Sequence, residues 1–179
     1  MSQHFKFLST KLDGLYVIER NLIEDNRGFF SRFFCAEDYK ELGFSQSIKQ
    51  MNYSFTKQKG SIRGMHFQNS PYTEKKIVTC VKGTIFDVAV DMRKESPTYL
   101  HWHGEVLSAD KDSSFYIPDG FAHGFQTLTD NCQLLYIHSE FYKPNAEEVL
   151  NAFDVKINID WPRDGTVMSD RDRNSPLIP

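Results

Sequence analysis

The sequence has only three cysteines, Cys35, Cys80 and Cys132, and no two of them form a C-x-x-C pair. Such spacing excludes a cysteine zinc cluster or a dithiol redox pair, and a sparse, odd count fits a reducing compartment. Cys80 lies in an apolar run and is expected to be a buried thiol. No apolar stretch approaches the ~20 residues that a membrane-spanning helix needs. The opening Met1-Ser2-Gln3-His4-Phe5-Lys6 lacks the apolar core of a signal peptide, so a cytoplasmic protein without membrane partners is expected. Runs of like charge are also missing. With 21 Lys and Arg against 24 Asp and Glu, the formal charge is -3, which leaves no basic footprint for nucleic acid. A few local arginines would still suffice for an anionic ligand. Neither repeats nor low-complexity segments occur, and 179 residues are expected to form one domain over 1–179.

What the chain does contain is short β-forming runs separated by turn signals. Leu15 to Ile18 reads as a strand. The turn cluster Glu24 to Gly28 leads into a second strand, Phe29 to Phe34. Ala36 to Leu42, stopped by Gly43, reads as a short helix. Lys49, Met51, Tyr53 and Phe55 then alternate with Gln50, Asn52 and Ser54, so the two sets face opposite ways; the polar set suits a pocket better than a core. Lys75 to Val81 and Thr84 to Met92, joined by Lys82-Gly83, read as a β-hairpin. Its second strand has Phe86, Val88, Val90 and Met92 on one face, with Asp87 and Asp91 on the other. Further strands are expected over Leu100 to Leu107, Ser114 to Ile117, Ala122 to Leu128 and Gln133 to Phe141. Ala146 to Leu150 reads as a helical turn. The loop-rich tail carries Phe153, Ile159 and Trp161, enough apolar surface to wrap the remainder. Short strands at this spacing predict an antiparallel sandwich or barrel.

Chemistry concentrates in Ser61-Ile62-Arg63-Gly64-Met65-His66-Phe67-Gln68. Histidine is the side chain best suited to exchange protons near neutral pH, and Arg63 offers a fork for phosphate or carboxylate. On a regular strand Arg63 and His66 face opposite sides. If both serve one ligand, a kink at Gly64 is required. His101-Trp102-His103-Gly104-Glu105 places both imidazoles on one strand face, as a metal site would; a solvent-facing strand alternating against Trp102 is the plainer reading. Pro118-Asp119-Gly120-Phe121-Ala122-His123 resembles the second motif of the cupin β-barrels, in which the histidine points inward.

Arg63-Gly64-Met65-His66-Phe67-Gln68, Phe86-Asp87-Val88-Ala89-Val90-Asp91-Met92-Arg93, Ser96-Pro97-Thr98, Ile117 to Phe125, Asp160-Trp161-Pro162 and Ser169 to Asn174 together resemble the dTDP-4-dehydrorhamnose 3,5-epimerase family. The resemblance runs from about Asp25 to Pro176. It implies an all-β fold: a cupin-type jelly-roll barrel with short helical segments and a wrapping C-terminal tail. It also implies a homodimer that uses no metal or cofactor. By the same resemblance His66 is the general base, Asp172 the carboxylate paired with it, Tyr136 the general acid and Lys76 the cation beside the developing enolate. Arg63 and His123 belong to the substrate pocket, and Tyr142 stacks on the nucleotide base. Arg27, Phe30, Gln50, Asn52, Glu147 and Arg171 are further substrate contacts.

The implied substrate is a nucleotide-diphospho-4-keto-6-deoxy sugar. Its C4 ketone acidifies the hydrogens at C3 and C5, a histidine removes one, and a lysine stabilises the enolate. Inversion needs a proton delivered to the opposite face. This chain departs from the family in two places. Arg32 stands where a glutamate is frequent, and Val149-Leu150-Asn151-Ala152-Phe153-Asp154-Val155 replaces a Gly-Ile-Arg-Trp-Asn-Asp-Pro stretch; both are expected on the nucleotide side. Two other readings compete: a metal-dependent cupin oxygenase using His101, His103 and His123, and a non-catalytic sugar-nucleotide-binding module.

Overall fold

The computed structural model describes residues 3–165 and 167–179; Met1 and Ser2 of the N-terminal reading lie outside them. Among the described residues thirteen strands form. They are β1 (Phe5–Ser9), β2 (Tyr16–Arg20), β3 (Leu22–Asp25), β4 (Gly28–Ser31), β5 (Gln50–Thr56), β6 (Ile62–Gln68), β7 (Lys76–Lys82), β8 (Thr84–Asp91), β9 (Trp102–Ser108), β10 (Ser113–Ile117), β11 (Phe121–Thr127), β12 (Cys132–His138) and β13 (Glu147–Val149). One sheet has the order β1-β2-β10-β7-β12-β5 and the facing one β13-β6-β11-β8-β9, while β3 and β4 make a separate hairpin. Pairing within the sheets is antiparallel throughout. This is the expected jelly-roll sandwich.

Three apolar layers hold it. Val78, Ile85, Ala89, Leu107, Phe115, Phe125 and Leu134 fill the space between the sheets. Ile62, Met65, Val88 and Val90 cover the back of the five-stranded sheet together with Ile157, Ile159 and Trp161, so the tail wraps the sandwich as expected. Tyr39, Phe44, Phe33 and Phe34 pack against Ile18, Ile77 and Tyr116 behind the other sheet. Fully burying a side chain of this size is worth about 1.5–3 kcal/mol, so the irregular segments that cover the sheets add to stability as well as the strands. Cys80 is buried and unpaired, as expected.

Several local expectations are corrected. The run from 75 to 92 is not a hairpin: β7 pairs with β10 and β12, whereas β8 pairs with β11 and β9. Lys82-Gly83 instead carries the chain from one sheet to the other. Alternation could not reveal this, because both faces of β8 are covered. Phe86, Val88 and Val90 meet the tail, while the face carrying Asp87 also carries Ile85 and Ala89 and looks into the sandwich. The helical turn expected at 146–150 is the short strand β13, captured by backbone pairing with β6. The second strand stops at Ser31, and the expected helix is a 3₁₀ turn over Asp38–Leu42, closed by Gly43 in the left-handed region at φ 79°. His103 is not solvent-facing; its ring lies 5.9 Å from Phe115, on the inner side of edge strand β9.

Candidate active site

A cavity of about 1030 Å³ opens between the sheets, at the upper end of the range for small-ligand sites. Strands β5, β7 and β12 of one sheet supply Gln50, Asn52, Lys76 and Tyr136; β6 and β11 of the other supply Arg63, His66 and His123. The polar set of β5 therefore does face a pocket. Its apolar set, Met51, Tyr53 and Phe55, is exposed on the outside.

Arg63 and His66 reach the cavity together because β6 is not regular. Against β11, His66 pairs with His123 and Arg63 with Phe125. Three steps on β6 thus match two on β11, which is a β-bulge. Gly64 sits in the bulge at φ 118°, and its peptide bond to Met65 is cis. A Cβ on Gly64 would lie 2.6 Å from the Gly124 Cα, and one on Gly124 would lie 2.8 Å from the Arg63 carbonyl oxygen. Both glycines are needed for the backbones to come this close.

His66 Nε2 lies 2.8 Å from Asp172 Oδ1. Asp172 belongs to α1 (Asp170–Arg173), a single turn capped by the Ser169 side chain, which accepts from the Asp172 N–H. Its second oxygen accepts the Gly64 N–H at 3.2 Å. Burial alone would raise the Asp172 carboxyl, but the hydrogen bonds from His66, Gly64 and Ser169 outweigh it and hold it below the ordinary carboxylate value. With Nε2–H donated to this anion, Nδ1 keeps a lone pair free to accept a proton.

A second pair stands beside the first. His123 Nε2 lies 2.7 Å from Asp87 Oδ1. Asp87 is fully buried, its Oδ2 has no hydrogen-bond partner, and burial raises its carboxyl despite the His123 contact. Across the cavity, Tyr136 Oη is 3.2 Å from Ser54 Oγ, and burial pushes its phenol well above the ordinary tyrosine value. Tyr136 therefore keeps its proton. Lys76 Nζ lies 3.0 Å from Glu74 Oε1 and 3.4 Å from the His66 carbonyl oxygen. Arg63 is braced by Thr56 Oγ1 at 2.9 Å and the Phe55 carbonyl at 3.2 Å. Nearer the surface, Tyr142 Oη donates to Glu147 Oε2 at 2.8 Å, and Arg171 reaches the same oxygen at 2.6 Å.

Eleven of the thirteen residues named from the sequence thus line one cavity. Arg27 and Phe30 do not. They sit on the β3–β4 hairpin, where Phe30 is 65 % exposed and Arg27 is held by Asp25 at 2.5 Å. The substituted 149–155 stretch does not line the cavity either: Leu150 exchanges backbone hydrogen bonds with Met65 and packs with Ala152 behind β6. Sequence reasoning missed Asp87, Glu74 and His138 as lining or supporting groups. His138 had a readable signal, since it lies two residues from Tyr136 on one strand and so shares its face. His101, His103 and His123 form no metal-binding cluster, and among the described residues no group of three His, Cys, Asp or Glu is placed to hold a metal ion.

The whole-chain comparisons point the same way. The family model described as dTDP-4-dehydrorhamnose 3,5-epimerase matches residues 9–179. The dTDP-4-dehydrorhamnose 3,5-epimerase of Methanothermobacter thermautotrophicus is 40 % identical over 173 residues, covering 95 % of this chain and 92 % of the relative. The crystal structure of the Legionella pneumophila dTDP-6-deoxy-D-glucose-3,5-epimerase with dTDP-4-keto-L-rhamnose superposes with a TM-score of 0.91 at 39 % identity, covering 97 % of this chain and 93 % of that one. A 3'-monoepimerase of Streptomyces bikiniensis in complex with dTDP-quinovose gives 0.86 at 31 % identity, covering 95 % and 86 %. An all-β sandwich, a histidine–carboxylate pair facing a tyrosine, and this extent of similarity lead to one conclusion: the chain belongs to the dTDP-4-dehydrorhamnose 3,5-epimerase family and is an isomerase of nucleotide-linked deoxysugars.

Proposed function

We propose that the enzyme inverts C3, C5 or both of a nucleotide-diphospho-4-keto-6-deoxy sugar, with His66 as base and Tyr136 as acid. The observation that carries this reading is the position of the two groups. His66, with Asp172 at 2.8 Å, comes from one sheet, and Tyr136 comes from the facing one. A sugar ring held between them meets the base on one face and the acid on the other, as inversion requires. His66 Nδ1 takes the proton next to the ketone, and the resulting imidazolium is stabilised by the Asp172 carboxylate. Charge moves to the C4 oxygen, where Lys76 Nζ stabilises the enolate. Tyr136, kept protonated by burial, returns a proton from the opposite side. Arg63, with its guanidinium already braced, suits the diphosphate. The half-exposed ring of Tyr142, held at its hydroxyl by Glu147, suits stacking on the base. Gln50, Asn52, His123, Glu147 and Arg171 complete the contacts.

Arg27 and Phe30 fit this scheme if two copies of the chain assemble. Their hairpin exposes Ile23, Phe29 and Phe30, and the outer face of edge strand β5 exposes Met51, Tyr53 and Phe55. Apolar rows of this kind at an unpaired edge mark an association surface. A homodimer in which each hairpin reaches the other copy's cavity would bring both residues to substrate. Mixing His66→Ala and Arg27→Ala subunits tests this: shared sites would regain activity in the mixture, and separate sites would not.

The relative that binds dTDP-quinovose is a 3'-monoepimerase, whereas the others are 3,5-epimerases, so the number of centres inverted is read experimentally. NMR in D₂O across dTDP-, CDP- and GDP-linked 4-keto sugars would report deuterium entering C3, C5 or both. Absence of exchange with every one of them would sink the reading.

A further inference from the structure

Glu74 and His138 lie in the wall of the cavity, and neither takes part in the chemistry above. The two oxygens of Glu74 serve different partners: Oε1 is 3.0 Å from Lys76 Nζ, and Oε2 is 2.8 Å from His138 Nδ1. All three side chains are at least nine-tenths buried. The contacts continue beyond the imidazole. Asn52 Nδ2 lies 3.3 Å from His138 Nε2, Gln50 Nε2 lies 3.5 Å from Asn52 Oδ1, and the Tyr142 backbone N–H meets Gln50 Oε1 at 2.9 Å. The His138 ring is also stacked at 27° on that of Tyr136. A single file of hydrogen bonds thus runs from the lysine at the sugar end to the aromatic near the cavity mouth.

The polarity of this file is fixed at both ends. A backbone N–H only donates. Glu74 only accepts: burial would raise its carboxyl, but His138 and Lys76 together hold it below the ordinary value. Between these ends every group has one consistent orientation. Gln50 turns its oxygen to Tyr142 and its amide N–H to Asn52; Asn52 turns its amide N–H to His138. His138 Nε2 must then accept, and Nδ1 must carry the proton. An imidazolium would aim an N–H at the Asn52 amide. Flipping Asn52 and Gln50 to relieve that clash would set an NH₂ against the Tyr142 N–H.

We propose that Glu74 and His138 are positioning residues: Glu74 fixes the Lys76 ammonium at the sugar end, and His138, held as its neutral Nδ1–H tautomer, ties that carboxylate to Asn52, Gln50 and Tyr142. Without Glu74 the ammonium keeps only the longer His66 carbonyl contact. The same network orders the β5 side chains before substrate arrives, which is a preorganisation role. The proposal rests on the epimerase reading for the task of Lys76, but not for the state of His138.

Two readouts test it. In the ligand-free protein labelled with ¹⁵N-histidine and assigned with His138→Gln, ¹⁵N NMR at pH 7 should show His138 neutral and protonated at Nδ1. An imidazolium or an Nε2–H tautomer would overturn the proposal. In steady-state kinetics Glu74→Gln should lower kcat about tenfold or more, with KM changed less than about threefold. His138→Asn, whose amide can still donate to Glu74, should recover part of what His138→Ala loses. A Glu74→Gln enzyme with wild-type kcat, or His138→Asn no better than His138→Ala, would refute the positioning role. Lack of turnover by the wild type would fail the epimerase reading alone, because the tautomer is read without substrate.

Discussion

Two histidine–carboxylate pairs sit side by side in this cavity, and their carboxylates behave in opposite ways. His66 and His123 are direct neighbours in the β6–β11 register, each with an aspartate within 2.8 Å. Asp172 is drawn below the ordinary carboxylate value and Asp87 is pushed above it. Burial acts on both in the same sense, so the difference lies in the donors. Asp172 receives the Gly64 N–H and has Ser169 beside it as well as His66. Asp87 meets His123 through one oxygen while the other has no partner. Exposure differs too: 32 % of the His66 side chain is accessible against 7 % for His123. A base must accept a proton, bear the charge and meet its substrate. The His66 pair is built for all three, whereas the His123 pair is closed off from solvent and forms part of the cavity wall.

Substitutions that treat the pairs alike sharpen this contrast. Asp172→Asn should cost about 10²- to 10⁴-fold in kcat, since it removes both the tautomer and the counter-charge of the base. Asp87→Asn should cost about tenfold or less. Equal losses, read in one kinetic assay, would break the distinction. Tyr136→Phe should lower net inversion about 10²-fold while solvent deuterium still enters the substrate, because His66 continues to remove the proton; loss of both would move Tyr136 from reprotonation to an earlier step.

The fold class was legible from short strands at regular spacing, and His66 was legible as a proton-exchange candidate from its own neighbours. The roles of Asp172, Tyr136 and Lys76 are implied only by the family resemblance, and the fold brings all four residues to one cavity. The inward face of β5 was legible because polar and apolar residues alternate there. The passage of 75–92 between sheets was not, since a strand covered on both faces gives no signal of which neighbour it pairs with. The short strand at 147–149 was hidden for a related reason: three residues acquire their conformation from β6, not from their own propensity. Glu74 was missed because it meets His138 only through a fold that joins residues 64 positions apart; strand spacing places His138 on the face of Tyr136 but does not name that partner.

Smaller effects test the geometry beneath the His66 pair. Gly64→Ala places a methyl 2.6 Å from Gly124 at φ 118°. A cost of about 2–4 kcal/mol is expected, a Tm loss of about 4–16 °C in a chain of this size. An unchanged Tm would mean that the bulge is not obligatory. The weakest effect concerns acid. Because the Asp172 pKa is lower in the folded chain than in the unfolded one, its stabilisation is complete at neutral pH and fades as pH falls through the ordinary carboxylate range towards the folded value. The Tm advantage of wild type over Asp172→Asn should therefore hold from neutral pH down to about pH 4 and narrow below it. A gap that stays constant below about pH 4 would contradict the lowered value.

The most direct test of His66 as base is deuterium wash-in from D₂O under single-turnover conditions, comparing wild type with His66→Ala on the same 4-keto sugar nucleotide. The wild type should label C3 or C5, and His66→Ala should reduce that labelling at least about 10²-fold while still binding the nucleotide. Labelling by His66→Ala at the wild-type rate would contradict the account at its centre.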